Sequence, residues 1–144
     1  MQHSHVRNWL HLIWTTKKRE RVLKSEYRKE ISQYLIEKSK IENLPFLNLN
    51  IQAEHVHGLI NLPANICLSD FMKKIKGASS FWINKNSILN VKFAWQRGYG
   101  AYSVSASQLD IVRKYIINQD EHHAKNTFAN EYEKWKKEYG FYDD

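Results

Sequence analysis

A chain of 144 residues suits one compact domain, and its 42% hydrophobic and 26% charged content excludes a disordered or fibrous protein. The single cysteine, Cys67, excludes an internal disulfide and a cysteine-based zinc site. No apolar run approaches the ~20 residues of a membrane span, and the N-terminal stretch lacks signal-peptide features, so a cytoplasmic protein is expected. A net charge of +7, with a pI near 9.4, favours a polyanionic partner, most simply nucleic acid.

Asn8 to Thr16 is aromatic and β-branched, which predicts a strand. The basic run Lys17, Lys18, Arg19 and Arg21 follows it. Ser25 is a candidate cap for a helix to about Lys40, with Tyr27, Ile31, Tyr34 and Leu35 on one stripe. Phe46 to Ala53 alternates, with Leu47, Leu49 and Ile51 on one face, and predicts a second strand. His55 to Leu62 predicts a third, while Pro45 and Pro63 punctuate the strand edges. Ser69 opens a second helix with a stripe of Phe71, Ile75, Ala78 and Trp82; Lys73, Lys74 and Lys76 lie largely off that stripe. Phe93 to Ser105 reads as a strand plus a flexible turn at Gly98 and Gly100. Ser107 should cap a helix from Gln108 to about Asn126, and a last helix is expected from Thr127 to Tyr139. The order β-α-β-β-α-β followed by C-terminal helices is that of an α+β, ferredoxin-like split β-α-β sandwich with an antiparallel sheet. Helices should cover one face of that sheet and leave the other open for a site.

Two groups of residues carry the chemistry. His55 and His57 alternate along one strand and so point to the same side. Their Cα atoms should stand roughly 6.6 Å apart, and two imidazoles at that spacing can share one ion with bonds of about 2.1 Å. On the third helix Tyr115, Gln119 and His123 recur every four residues, which sets them along one stripe. Each group alone also reads as ordinary half-exposed polar side chains. Taken together they describe a site for phosphodiester cleavage. A tyrosine hydroxyl ordinarily titrates near 10; a nearby cation favours the phenolate and draws charge from phosphate oxygens. Attack on phosphorus gives a covalent phosphotyrosine and a free 3′-hydroxyl, and the retained ester energy lets another 3′-hydroxyl reverse the step. Lys17, Lys18, Arg19, Arg21, Lys73, Lys74, Lys76, Arg97 and Arg113 are candidate contacts to the DNA backbone, with salt-sensitive affinity. Trp14, Trp82 and Trp95 read as core, and His3, His5 and His11 show no partner at ligand spacing with the main pair.

Four blocks in order, EHVHGLINLP, SDFMKKIKGASSFWI, WQRGYGAYSVS and VRKYIINQDEHH, resemble the single-tyrosine HUH transposases of the insertion-sequence 200/605 kind. The similarity runs from HLIWTTKKR to the last helix and implies one HUH transposase domain over residues 1–144, with its core at about 8–126 and a C-terminal helix at about 127–140. It implies that His55 and His57 bind a divalent metal, magnesium or manganese, that Gln119 completes the metal site, and that Tyr115 is the nucleophile. It also implies single-stranded DNA with hairpins near element ends as substrate, a 5′-phosphotyrosine intermediate, and a homodimer whose tyrosine helix is able to act in trans. Gly98 and Gly100 would give that helix its mobility. Glu54 stands where such proteins often carry aspartate, and Gly58 where a larger apolar residue is common. Imidazole donors alone suit zinc, cobalt, nickel or manganese better than magnesium. Two rivals make different predictions: a non-catalytic nucleic-acid-binding module on the same fold binds without needing Tyr115 (its domesticated variant binds and nicks but is not mobile), and a metal-dependent hydrolase turns over with no protein–DNA adduct.

Overall fold

In the computed structural model, which describes residues 4–119 together with 130, 133 and 134, the expected order of elements is present. The strands are β1 (Trp9–Thr15), β2 (Asn48–Ile51), β3 (His55–Asn61) and β4 (Gly100–Val104); the helices are α1 (Ser25–Ile41), α2 (Leu68–Lys85) and α3 (Leu109–Ile117). The sheet runs β2-β3-β1-β4, with β1 antiparallel to β3 and β4 and β2 antiparallel to β3. This is the split β-α-β arrangement, in which β3 lies antiparallel between the strands that α1 connects. Among the described residues no helix is long and apolar enough to cross a membrane.

Boundaries differ from expectation where side chains take over from the backbone ladder. Only Gly100–Val104 of the 93–105 stretch is strand, apart from one bridge between Thr16 and Trp95. Phe93 needs no strand partner because the Asn84 amide satisfies its backbone twice, donating to Phe93 O at 2.8 Å and accepting from Phe93 N at 2.7 Å. The serines expected to cap helices lie inside the turns instead. Lys24 and Cys67 occupy the cap positions of α1 and α2 without a side-chain cap bond, and Ser107 sits in a 3-10 turn, Ala106–Gln108, ahead of α3. The expected continuation to Asn126 and the last helix fall almost wholly outside the described residues.

Alternation along the strands builds two different faces. One carries Leu12, Trp14, Ile51, Val56 and Ile60, which pack with Ile31 and Leu35 of α1 and Phe71, Met72, Ile75 and Ile83 of α2 into the main core. The α2 stripe is rotated from the expected one, so that Ser79 is buried in place of Ala78 and accepts the indole N–H of Trp95 at 2.8 Å. The Trp82 ring stacks on Tyr34 at 4.4 Å between centroids, joining the two helices. Gly58 belongs to this face, where the Phe46 ring lies directly against the strand: an added Cβ would stand 2.9 Å from Phe46 Cε1. Gly58→Val is therefore expected to destabilise the fold by about 1–3 kcal/mol through overpacking, with no change in metal affinity. Denaturant unfolding and a manganese titration check the two halves of that statement.

The second face is not open. It carries Trp9, Leu59 and Val104, and α3 lies across it with Ile116 buried and Leu109, Val112 and Tyr115 partly buried against the strands. An apolar seam of this kind needs cover, and α3, the strongly amphipathic element that follows β4, supplies it.

Candidate active site

The histidines belong to the face that α3 covers. His55 and His57 alternate along β3 with Leu59, and the register sets His11 of β1 opposite Leu59, two residues on from His57. All three imidazoles are buried, as is Gln119 just beyond α3. Their ring nitrogens form a chain. His11 Nε2 stands 2.9 Å from His57 Nδ1, His57 Nε2 stands 3.1 Å from His55 Nε2, and His55 Nδ1 stands 2.7 Å from Glu54 Oε1. The Glu54 carboxylate also accepts from Arg21 Nη1 at 2.8 Å through its other oxygen. The glutamate ahead of the first histidine thus keeps the orienting role that aspartate would have, since a carboxylate on Nδ1 directs Nε2 outward.

Tyr115 completes the cluster from above. Its ring meets His57 edge-on at 5.7 Å and His11 at 6.1 Å between centroids, and its hydroxyl oxygen is buried. One turn later the Gln119 amide donates from Nε2 to Tyr115 O at 3.1 Å. That bond leaves Gln119 Oε1 buried without a hydrogen-bond donor among the described protein groups, and close enough to His55 to favour its charged form. An unsatisfied buried carbonyl oxygen costs free energy, typically about 1–3 kcal/mol, unless something electropositive sits before it.

The arrangement fits a divalent ion. Two donors bound at about 2.1 Å and at right angles to one another stand close to 3.0 Å apart, near the 3.1 Å between the two Nε2 atoms. Among the described residues no group of three His, Cys, Asp or Glu side chains is placed to hold an ion; the buried Gln119 amide oxygen is the further polar atom that could face one beside the two histidines. A set of two nitrogens and one oxygen suits manganese or magnesium better than the closed sulfur and imidazole sets of structural zinc.

Burial also disfavours the charged form of His55 and His11. Desolvation lowers the His55 pKa below its ordinary value, against the opposing pull of Glu54 and Gln119, and lowers that of His11 to about 4. The unfolded chain therefore takes up protons at a higher pH than the folded one. The His11 contribution is fully present above pH 6.5 and is lost as the pH falls toward 4, by about 3 kcal/mol in all. Unfolding free energies of metal-free wild type and His11→Gln at pH 7 and pH 4 should differ by that amount in their pH dependence; parallel profiles would contradict the assignment.

The basic residues divide by location. Lys17, Lys18 and Arg19 form an exposed 3-10 turn directly after β1, at the sheet end where β3 begins, and Arg21 joins it through Glu54. Lys17, Lys18 and Lys92 line a cleft of about 300 Å³ there, with Thr16, Phe93 and Ala94. Arg97 is exposed on the segment before β4, and Arg113 is exposed on α3 two residues before Tyr115. Lys73 and Lys74 lie instead on α2, in the layer across the sheet from the histidines, where Lys74 pairs with Glu42 at 3.4 Å. Lys76 is tied down, donating to Gln96 O at 2.8 Å and Gly98 O at 2.6 Å. Gly98 has φ +85, a left-handed conformation that favours glycine, whereas Gly100 is paired with Ile13 as the first residue of β4. Of the two glycines expected to give mobility, Gly100 is thus held in the sheet and only Gly98 has a conformation special to glycine. His122 and His123 lie outside the described residues.

The family model described as "Transposase IS200 like" matches residues 4–119. The chain is 26% identical over 114 residues to the ISDra2 transposase TnpA of Deinococcus radiodurans, covering 76% of this chain and 81% of that one. It is 28% identical over 114 residues to the transposase for insertion sequence element IS200 of Salmonella typhimurium, covering 76% and 74%. A solved Deinococcus radiodurans R1 structure described as a transposase superposes with a TM-score of 0.65 at 25% identity, over 83% of this chain and 95% of that one. A REP-associated tyrosine transposase bound to a REP hairpin superposes with a TM-score of 0.62 at 15% identity, over 85% and 73%, a likeness of fold.

Proposed function

The chain belongs to the IS200-like transposase family, and from that premise we propose that it cleaves and rejoins single-stranded DNA through a 5′-phosphotyrosine intermediate on Tyr115, with a divalent metal, Mg2+ or Mn2+, held by His55, His57 and Gln119. The observation that carries this reading is the meeting of two Nε2 atoms 3.1 Å apart, a buried Gln119 carbonyl oxygen beside His55, and a tyrosine ring set edge-on to the second histidine.

The bound cation would supply positive charge at the scissile phosphate and at the attacking phenolic oxygen. Tyr115 Oη forms the new bond to phosphorus as the bond from phosphorus to the 3′-oxygen breaks. The phenolic proton passes to solvent, and the departing 3′-oxygen takes one up. Rejoining reverses each step with a second 3′-hydroxyl as nucleophile, so no nucleotide cofactor is consumed. Glu54 fixes the His55 ring, the cover of α3 limits water at the site, and the Lys17–Arg21 turn holds the DNA backbone at the same sheet end. The substrate we infer is hairpin-bearing single-stranded DNA at element ends, supported by the family and by the REP hairpin held by a fold neighbour. The same reading takes the active form as a homodimer; within this chain α3 already lies over its own histidines.

Covalent trapping tests the reading. The protein is incubated with labelled single-stranded DNA carrying candidate element ends, with Mn2+ or Mg2+, and run on a denaturing gel. A labelled protein–DNA adduct that chelator abolishes is the expected result. Binding without an adduct in either metal would leave a binding module, and free cleaved product without an adduct would indicate a water nucleophile.

A further inference from the structure

We propose that His11 is a positioning residue of the metal site, which accepts the Nδ1 proton of His57 and so turns the His57 Nε2 lone pair toward the ion. This inference rests on the metal-site reading above. An imidazole can ligate through Nε2 only if that nitrogen is unprotonated, and the neutral ring must then carry its proton on Nδ1. For His55 the acceptor of that proton is Glu54 Oε1, at 2.7 Å. For His57 the atom in the same place is His11 Nε2, at 2.9 Å, on a ring whose plane lies within 24° of its own with centroids 5.1 Å apart.

The chain of rings also has a second proton arrangement. With no ion present, His57 Nε2–H can donate to His55 Nε2, and His11 Nε2–H can donate to His57 Nδ1, so the first contact gains a hydrogen bond and the second runs in the opposite sense. Loading the ion then requires His57 to move its proton from Nε2 to Nδ1, and His11 to give up its Nε2 proton and carry one on Nδ1. Each ring stays neutral and keeps one proton. His11 is suited to this because it can either donate or accept at the same nitrogen, which a carboxylate or a lysine cannot do. Its burial keeps the ring neutral.

Two variants and one spectrum test this. His11→Gln offers a carbonyl oxygen as acceptor, while His11→Met fills similar space with a poor one. Calorimetric titration of the metal-free protein with Mn2+ should give a Kd about 10–100-fold weaker in His11→Met, the range for loss of an orienting partner, and within about threefold of wild type in His11→Gln. Metal-free binding of a DNA hairpin should be equal in all three proteins, which controls for folding. In the wild type loaded with Zn2+ as a diamagnetic probe, ring 15N–1H correlations should place the His57 proton on Nδ1. A His57 proton on Nε2 in the loaded protein overturns the proposal, even if His11→Met does not fold. Equal Mn2+ affinity in wild type and His11→Met, or equal weakening in both variants, overturns it as well. Wild type that takes up no Mn2+ removes the metal-site reading itself, whereas uptake that ignores His11 removes only this inference.

Discussion

Tyr115→Phe is expected to abolish the covalent adduct and to lower single-turnover strand transfer at least about a thousandfold, some 4 kcal/mol of transition-state stabilisation, since it removes the proposed attacking oxygen. DNA binding should be unchanged. The ring itself remains, and with it the edge contacts to His57 and His11 and the packing beside Leu59, Val104 and Ile116. Removal of one buried hydroxyl should alter unfolding free energy by less than about 2 kcal/mol. The variant therefore separates chemistry from fold: a rate loss with a normal unfolding curve assigns the nucleophile. An adduct that persists at the wild-type rate would mean that another residue attacks, and peptide mapping of the adduct would identify it.

His57→Ala should weaken Mn2+ binding more than a hundredfold and remove metal-dependent cleavage. His57 is the hub of the cluster: one nitrogen meets His11, the other meets His55, and its ring supports Tyr115. Truncation removes a ligand, deprives His11 Nε2 of its partner, and takes away the surface on which the nucleophile rests. Gln119→Ala should be milder, because the lost donor is a neutral amide whose place water can take. The ordering His57→Ala well above Gln119→Ala, read from manganese titrations of the two variants, is the quantity to measure. The reverse order would mean that the ion is held chiefly from the α3 side.

Much of this was legible in the sequence because periodicity reports faces. Alternation placed His55 and His57 on one side of β3, and the four-residue spacing placed Tyr115 and Gln119 on one side of α3. His11 was not legible in that way. It lies 46 positions from His57, and only the antiparallel register of β1 on β3 brings the rings together. The identity of His11 on an otherwise apolar strand was the available signal: an imidazole between Leu10 and Leu12 has to find a polar partner somewhere. Burial of the second sheet face was missed for a related reason. Leu59 and Val104 are few, and their need for cover shows only once the strands are aligned into a single seam with Trp9. The distribution of lysines was ambiguous for the opposite reason, since charge gives sign without direction, and Lys73 and Lys74 turned out to lie across the sheet from the histidines.

Tyr115 and Gln119 ride on one rigid turn, joined by the bond from the Gln119 amide to the Tyr115 carbonyl. Any displacement of α3 would withdraw the proposed nucleophile and the proposed third donor in the same stroke. A polar strand end with two histidines remains, which holds an ion poorly, together with a tyrosine that has no ion to activate it. On the proposed assignments the helix would act like a two-pole switch, making both contacts together or neither, so that half-made states in which a loaded ion cuts DNA with water would be disfavoured by the connectivity of the chain itself.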